Sequence, residues 1–180
     1  MMKAIILDRD GVINHDSADF IKTVNEWRAL PGSLEAMARL THAGYAIFIA
    51  SNQSGIGRGL LSEADSTAIF DFLKNQLATL GGKVEGIVYC PHHPSDHCDC
   101  RKPLPGLFLQ LRDRFQVDLT TAYAVGDSLR DIEAAIAAGS KPILVKTGNG
   151  LKTLALLQER NLKIPTYDDL AHFVEALLHD

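Results

Sequence analysis

The chain has 180 residues, 46% of them hydrophobic, which is enough for one domain with a substantial core. Its formal net charge of −4 argues against a nucleic-acid partner, and no apolar run is long enough to span a bilayer. The opening M-M-K-A-I-I-L-D lacks a signal-peptide layout, because Asp8 interrupts the apolar stretch; a cytoplasmic monomer is expected, with one domain over residues 1–180.

Short apolar runs alternate with longer amphipathic ones. Residues 3–7 read as a strand ending on Asp8, and residues 33–43 as a helix stopped by Gly44. Residues 45–50 read as a buried strand running into S-N-Q-S-G-I-G-R-G. Residues 62–80 form a helix, with Ser62 and Asp65 spaced as a capping box and Gly81-Gly82 at its end. A strand over 85–89 leads into a cysteine-rich window. Then come a helix at 105–115, a strand at 121–125, a helix at 129–138 and a strand at 142–146. Helices near 151–160 and 167–178 close the chain. This alternation predicts an α/β fold with a doubly wound parallel sheet. No repeat or linker interrupts it.

Ligands of such sheets bind beyond the carboxyl ends of the strands, and the polar motifs sit there. After the first strand comes D-R-D-G. Asp8 and Asp10, two apart, face one volume and can share a hard cation such as Mg2+. By itself the motif also fits a pair of loop-capping carboxylates. After the second strand, Ser51, Asn52 and several glycines can present a hydroxyl and backbone N–H groups to a phosphate, although no P-loop lysine follows. After the fourth strand, V-G-D-S-L-R-D puts Asp131 one helical turn beyond Asp127. There Asp127 or Ser128 could equally serve as a helix cap. Arg101 and Lys102 suit an anionic substrate if they reach the same crevice.

All three cysteines, Cys90, Cys98 and Cys100, fall in C-P-H-H-P-S-D-H-C-D-C. Thiols clustered in a reducing compartment point to a metal rather than a disulfide. With one histidine they complete a closed Cys3His set for structural Zn2+ over residues 90–100. His92, His93 and His97 are the candidates for the fourth ligand, and spacing alone does not choose among them.

Taken in order, D-x-D-G, S-N-Q after the second strand, Lys102 before a helix and G-D-x-x-x-D resemble the haloacid dehalogenase superfamily of phosphotransferases. That resemblance spans residues 3 to about 147. It implies Asp8 as nucleophile and Asp10 as general acid and base. It also implies Mg2+ held by Asp8, Asp127 and the Asp10 carbonyl. Ser51 and Lys102 would stabilise the transferring phosphoryl group, with Ser128 and Asp131 in support and Asn52 and Arg101 on the substrate. The zinc loop followed by C-R-K-P further resembles two subfamilies, the D-glycero-D-manno-heptose-1,7-bisphosphate 7-phosphatases and the histidinol-phosphate phosphatases. Both imply His92 as the fourth zinc ligand. L-D-R-D-G-x-I-N, S-N-Q-S-G-I-G-R-G and C-P-H-H-P look most like the heptose enzymes, which implies a sugar-phosphate substrate and a role in bacterial surface glycans. The six-residue step from His92 to Cys98 suits the histidinol enzymes equally well. Val12 replaces the more usual threonine, and S-A-D-F-I-K-T replaces Gly-Tyr-Val. No large cap domain fits between the motifs. A receiver-type signalling domain would show an adjacent acidic pair instead of D-x-D-G. A zinc-stabilised binding module is the other non-enzyme reading, and the acidic balance disfavours nucleic acid as its partner.

Overall fold

A computed structural model describes residues 1–180. In chain order the elements are β1 (Lys3–Leu7), α1 (Ser33–His42), β2 (Tyr45–Asn52), α2 (Ser54–Gly57), α3 (Glu63–Ala78) and β3 (Val84–Cys90). They continue with α4 (Gly106–Phe115), β4 (Tyr123–Gly126), α5 (Leu129–Ala138), β5 (Lys141–Val145), α6 (Gly150–Glu159), β6 (Thr166–Tyr167) and α7 (Leu170–Leu178). The strands form one parallel sheet in the order β3-β2-β1-β4-β5-β6.

The central strands are apolar on both faces because both are covered. Ile5 and Leu7 join Ile47, Ile49 and Val125 under α1, α3 and α7. Ala4 and Ile6 join Phe48, Ala50 and Ala124 under α4 and α5. Each such fully buried Ile or Leu contributes about 1.5–3 kcal/mol, and Cys90 and Cys100 are buried in the second core with them. A two-sided core turns strand periodicity into continuous runs, which is why K-A-I-I-L and Y-A-I-F-I-A are legible as strands.

Strand order reverses direction at β1, which has β2 on one side and β4 on the other. Leu7 pairs with both Ile49 and Val125, so the residues after these strands emerge side by side. The Asp8 N–H then donates to the Val125 carbonyl at 3.0 Å, tying the first motif to the fourth strand. This is the switch point at which doubly wound sheets open a crevice.

Three details depart from expectation. Tyr167 belongs to a two-residue edge strand and not to the last helix, which starts at Leu170 because the Asp169 carboxylate accepts the His172 N–H at 2.8 Å and caps it. Ser54–Gly57 forms a single helical turn within the glycine-rich loop. The fourth strand begins at Tyr123, two residues later than expected, after a turn in which the Ala122 N–H donates to the Asp118 carbonyl. The capping box at Ser62 and Asp65 forms as the spacing implies. Between β1 and α1 there is only a loop with one 3-10 turn, Val24–Glu26, and no large cap. No helix is long and apolar enough to cross a membrane.

Candidate active site

A cavity of about 170 Å³ opens at the switch point. Asp8, Asp10, Asn52, Arg101, Lys102, Asp127 and Asp131 line it, together with Asp16, Ser17, Phe20, Ile21, Gln53, Ser54, Arg130 and Asn149. Lys102 is 3% exposed and its ammonium stands between two carboxylates, 2.6 Å from Asp131 Oδ1 and 3.2 Å from Asp8 Oδ1. It also donates to the Ala50 carbonyl at 2.8 Å. Asp8 Oδ1 accepts the Arg9 N–H as well, so its other oxygen has no protein donor. Asp127 Oδ2 accepts the Asn149 N–H at 2.8 Å, and its backbone carbonyl accepts the Thr153 hydroxyl at 2.7 Å. Gly11 lies so close, at φ +84°, that a Cβ there would collide with the Asp127 carboxylate.

The Asp10 carboxylate is held from three directions. Arg9 donates through Nε at 3.0 Å and Asn14 through Nδ2 at 2.9 Å, both to Oδ1. Gln53 donates to Oδ2 at 3.1 Å and to Ser51 Oγ at 2.7 Å. The Ser51 hydroxyl is buried beside the cavity, and its proton has no protein acceptor.

Electrostatics divide the carboxylates into two kinds. Burial, then the Asp131 charge, push Asp8 well above the ordinary carboxylate range, against the pull of Lys102. Burial and Asp131 also raise Asp127 to about 7. Asp131 goes the other way: burial would raise it, but the Lys102 ammonium and the Ser128 hydrogen bonds override this and lower it. Burial likewise opposes the charge on Lys102, and Asp131 with Asp8 reverses the sign. Asp8, Asp127 and Asp131 offer oxygens within 4.8 Å of one another. Asp131 is committed to Lys102, to Ser128 and to the Asp127 N–H. That leaves Asp8 and Asp127 as the pair whose mutual charge a divalent cation would relieve.

A second cluster sits beside this cavity, at the end of β3. Cys90 Sγ lies 3.4 Å from His92 Nδ1 and 3.5 Å from Cys98 Sγ, and Cys100 Sγ lies 3.3 Å from the same nitrogen. Metal–sulfur bonds of about 2.3 Å give a tetrahedron with edges of roughly 3.8 Å, so these atoms already stand close to a tetrahedral ligand set. The cluster selects among the histidines. His93 Nδ1 is instead bonded to Ser95 in the cap of the turn Pro94–Asp96, and exposed His97 follows it in a left-handed conformation. The Cys98 thiol is lowered to about 7; burial opposes this, but the Arg101 N–H and neighbouring thiols prevail. The chain then passes directly into Arg101 and Lys102. The Asn52 side chain clasps the Lys102 backbone, donating to its carbonyl at 3.1 Å and accepting its N–H at 3.0 Å.

Comparison with known proteins gives the family. A HAD-hydrolase-like family model matches residues 99–172. D-glycero-beta-D-manno-heptose-1,7-bisphosphate 7-phosphatase from Bordetella bronchiseptica is 52% identical over 99% of both chains. The protein of the same name from Pseudomonas aeruginosa is 51% identical over 97% of both. The chain belongs to the heptose-bisphosphate phosphatase family. A family member from B. bronchiseptica, solved in complex with magnesium and phosphate, superposes with a TM-score of 0.94 at 52% identity, covering 99% of each chain. Another from Burkholderia thailandensis is 40% identical and superposes at 0.76, again over 99% of each chain.

Within this member of the heptose-bisphosphate phosphatase family, most residues singled out by sequence line one cavity. One differs from expectation. Asn52, expected on the substrate, has its amide committed at both ends to the Lys102 backbone. Ser51 is 1% exposed; its Oγ accepts from Gln53, which leaves its proton uncommitted. Sequence reading missed Arg9, Gln53, Arg130 and Asn149. Asn149 could have been found, since T-G-N-G follows β5 at the same edge of the sheet as the other motifs. Arg130 adds a second arginine near Arg101 at the cavity.

The raised Asp127 has a consequence for stability. The unfolded carboxyl titrates near 3.8 and the folded one near 7, so the folded state holds the extra proton between these values. The stability of metal-free protein should therefore fall as pH rises through that window. Asp131, being lowered, acts only below it. Thermal unfolding with and without Mg2+ checks this: saturating Mg2+ should flatten the decline, because the cation takes the place of the proton.

Proposed function

We propose that the chain is a Mg2+-dependent phosphomonoesterase that removes the 7-phosphate of D-glycero-beta-D-manno-heptose 1,7-bisphosphate. The observation that supports this best is the buried Asp8–Lys102–Asp131 array facing Asp127, in a chain with 52% identity along its length to a relative of that name. In this reading Asp8 attacks phosphorus and the P–O bond to the sugar breaks. Asp10 gives its proton to the departing alkoxide, leaving an aspartyl-phosphate on Asp8. Asp10 then takes a proton from water as that water displaces Asp8 and releases phosphate. Mg2+ bound by Asp8, Asp127 and the Asp10 carbonyl would screen the repulsion between a carboxylate and a phosphate dianion. Lys102, set by Asp131, and the Ser51 hydroxyl would stabilise charge on the transferring group. Arg101 and Arg130 would meet the remaining phosphate or the sugar hydroxyls.

Side-by-side rates test the substrate. Heptose bisphosphate should be hydrolysed at least about tenfold faster, in kcat/KM, than histidinol phosphate, a difference of about 1.4 kcal/mol in transition-state binding. Equal rates would reverse the order of the two substrates. Failure to hydrolyse any phosphate ester with Mg2+ would return the chain to a binding role.

We further propose that Cys90, His92, Cys98 and Cys100 hold one structural Zn2+. The closed set leaves no ligand position for water, so its task is to fix the segment entering Arg101 and Lys102. We place the protein in the cytoplasm, as a monomer, where thiols stay reduced and available to metal. Metal analysis of protein purified without chelator should find one zinc that excess Mg2+ does not displace. Cys100→Ser should lose that zinc and lower kcat about 10²-fold through misplacement of Lys102. A variant with no zinc and unchanged kcat would defeat the assignment.

A further inference from the structure

Arg9 separates the two motif aspartates in sequence, and the proposed chemistry gives it no task. Its side chain is 1% exposed. Nε and Nη2 reach Asp10 Oδ1 at 3.0 and 2.9 Å. Nη2 also donates to Gln53 Oε1 at 3.3 Å, and the guanidinium lies 5.1 Å from the Phe70 ring. The Arg9 carbonyl accepts the Ile13 N–H at 2.8 Å at the centre of the turn. A buried guanidinium is a poor device for stability alone, since an apolar side chain of similar volume commonly serves better. Its geometry, however, controls two things at once. It fixes the Asp10 carboxylate by Oδ1, and it settles the orientation of the Gln53 amide. Because Oε1 accepts from Arg9, Nε2 must face Asp10 Oδ2 and Ser51 Oγ.

We propose that Arg9, acting with Gln53, is a positioning residue for Asp10, holding Oδ2 as the oxygen that exchanges a proton with the leaving group and then with water. This rests on the reading of Asp10 as general acid and base. A sugar alkoxide needs a proton to leave, whereas nitrophenolate does not, so the two classes of phosphate ester separate positioning from folding.

The experiment compares wild type, Arg9→Lys, Arg9→Met and Gln53→Met by rapid quench on heptose bisphosphate and 4-nitrophenyl phosphate. Arg9→Met should lower kcat on the sugar phosphate about 10²-fold, with KM changed by less than about threefold, as expected for loss of positioned acid–base catalysis. On the aryl ester the first turnover should keep near wild-type speed, followed by accumulation of phosphoenzyme, because Asp10 can no longer activate water well. Gln53→Met should show the same pattern at about tenfold, and Arg9→Lys should recover part of the loss. If Arg9→Met fails to fold, Gln53→Met decides between the outcomes. An equal fall in the first turnover on both esters, or no fall in either variant, overturns the proposal. Asp10→Asn separates the two layers: if it leaves sugar phosphate turnover intact, the acid assignment fails first. If it is inactive while both Arg9→Met and Gln53→Met are unchanged, only the positioning role is lost.

Discussion

Asp8→Asn should abolish turnover, by at least about 10⁴-fold, because the carboxylate supplies the bond-forming electron pair and an amide does not replace it. The same substitution should raise the melting temperature of metal-free protein near neutral pH. The sign follows from the site: burial and the Asp131 charge raise the Asp8 carboxyl, so its ionised form is held against an unfavourable environment, and a neutral amide removes that penalty. Steady-state rates and thermal unfolding of one protein sample test both statements. Substantial residual turnover would sink the nucleophile assignment. An inactive variant that melts lower than wild type would show that Lys102 needs the Asp8 charge more than burial opposes it.

Lys102→Met should be the most destabilising of the substitutions considered. It removes the ammonium 2.6 Å from Asp131 and 3.2 Å from Asp8 while retaining most of the buried chain volume. Breaking one partner of a buried pair costs about 3–5 kcal/mol, since the remaining charges stay buried without a counterion. Catalysis should fall about 10³-fold, as for loss of a preorganised donor to the transferring group. Chemical denaturation with and without Mg2+ gives the reading. The cation should recover part of the stability, because it neutralises Asp8, yet little of the rate. A stability loss below about 1 kcal/mol would mean that Asp8 and Asp131 already share a proton in the folded protein.

The sheet was legible because its central strands are covered on both faces, so Ile5, Ile6, Ile47 and Phe48 appear as unbroken runs. The placing of polar motifs after those runs was enough to bring Asp8, Lys102 and Asp127 to one edge. Three things were not legible. β6 has two residues, too few for any period, and Asp169 reads as part of the following helix until its cap is seen. The tasks of Asn52 and Gln53 depend on partners 50 and 43 residues away, and no local pattern encodes such pairs. Arg9 reads as a residue turned aside from two carboxylates. Only the fold of the turn returns its guanidinium to Asp10.

The clasp of Asn52 on Lys102 also bears on how the loop can vary. Gln53 N–H donates to the Cys90 carbonyl and Gly57 N–H to the Pro91 carbonyl, at 2.8 and 2.7 Å, so the entry of the cysteine loop is sewn to the loop after β2. Asn52 sews its exit in the same way. Everything between Pro94 and His97 hangs outside these two seams, on an exposed turn. The loop is therefore fixed at both hems, so a change of length in its outer turn should leave Lys102 in register with Asp8.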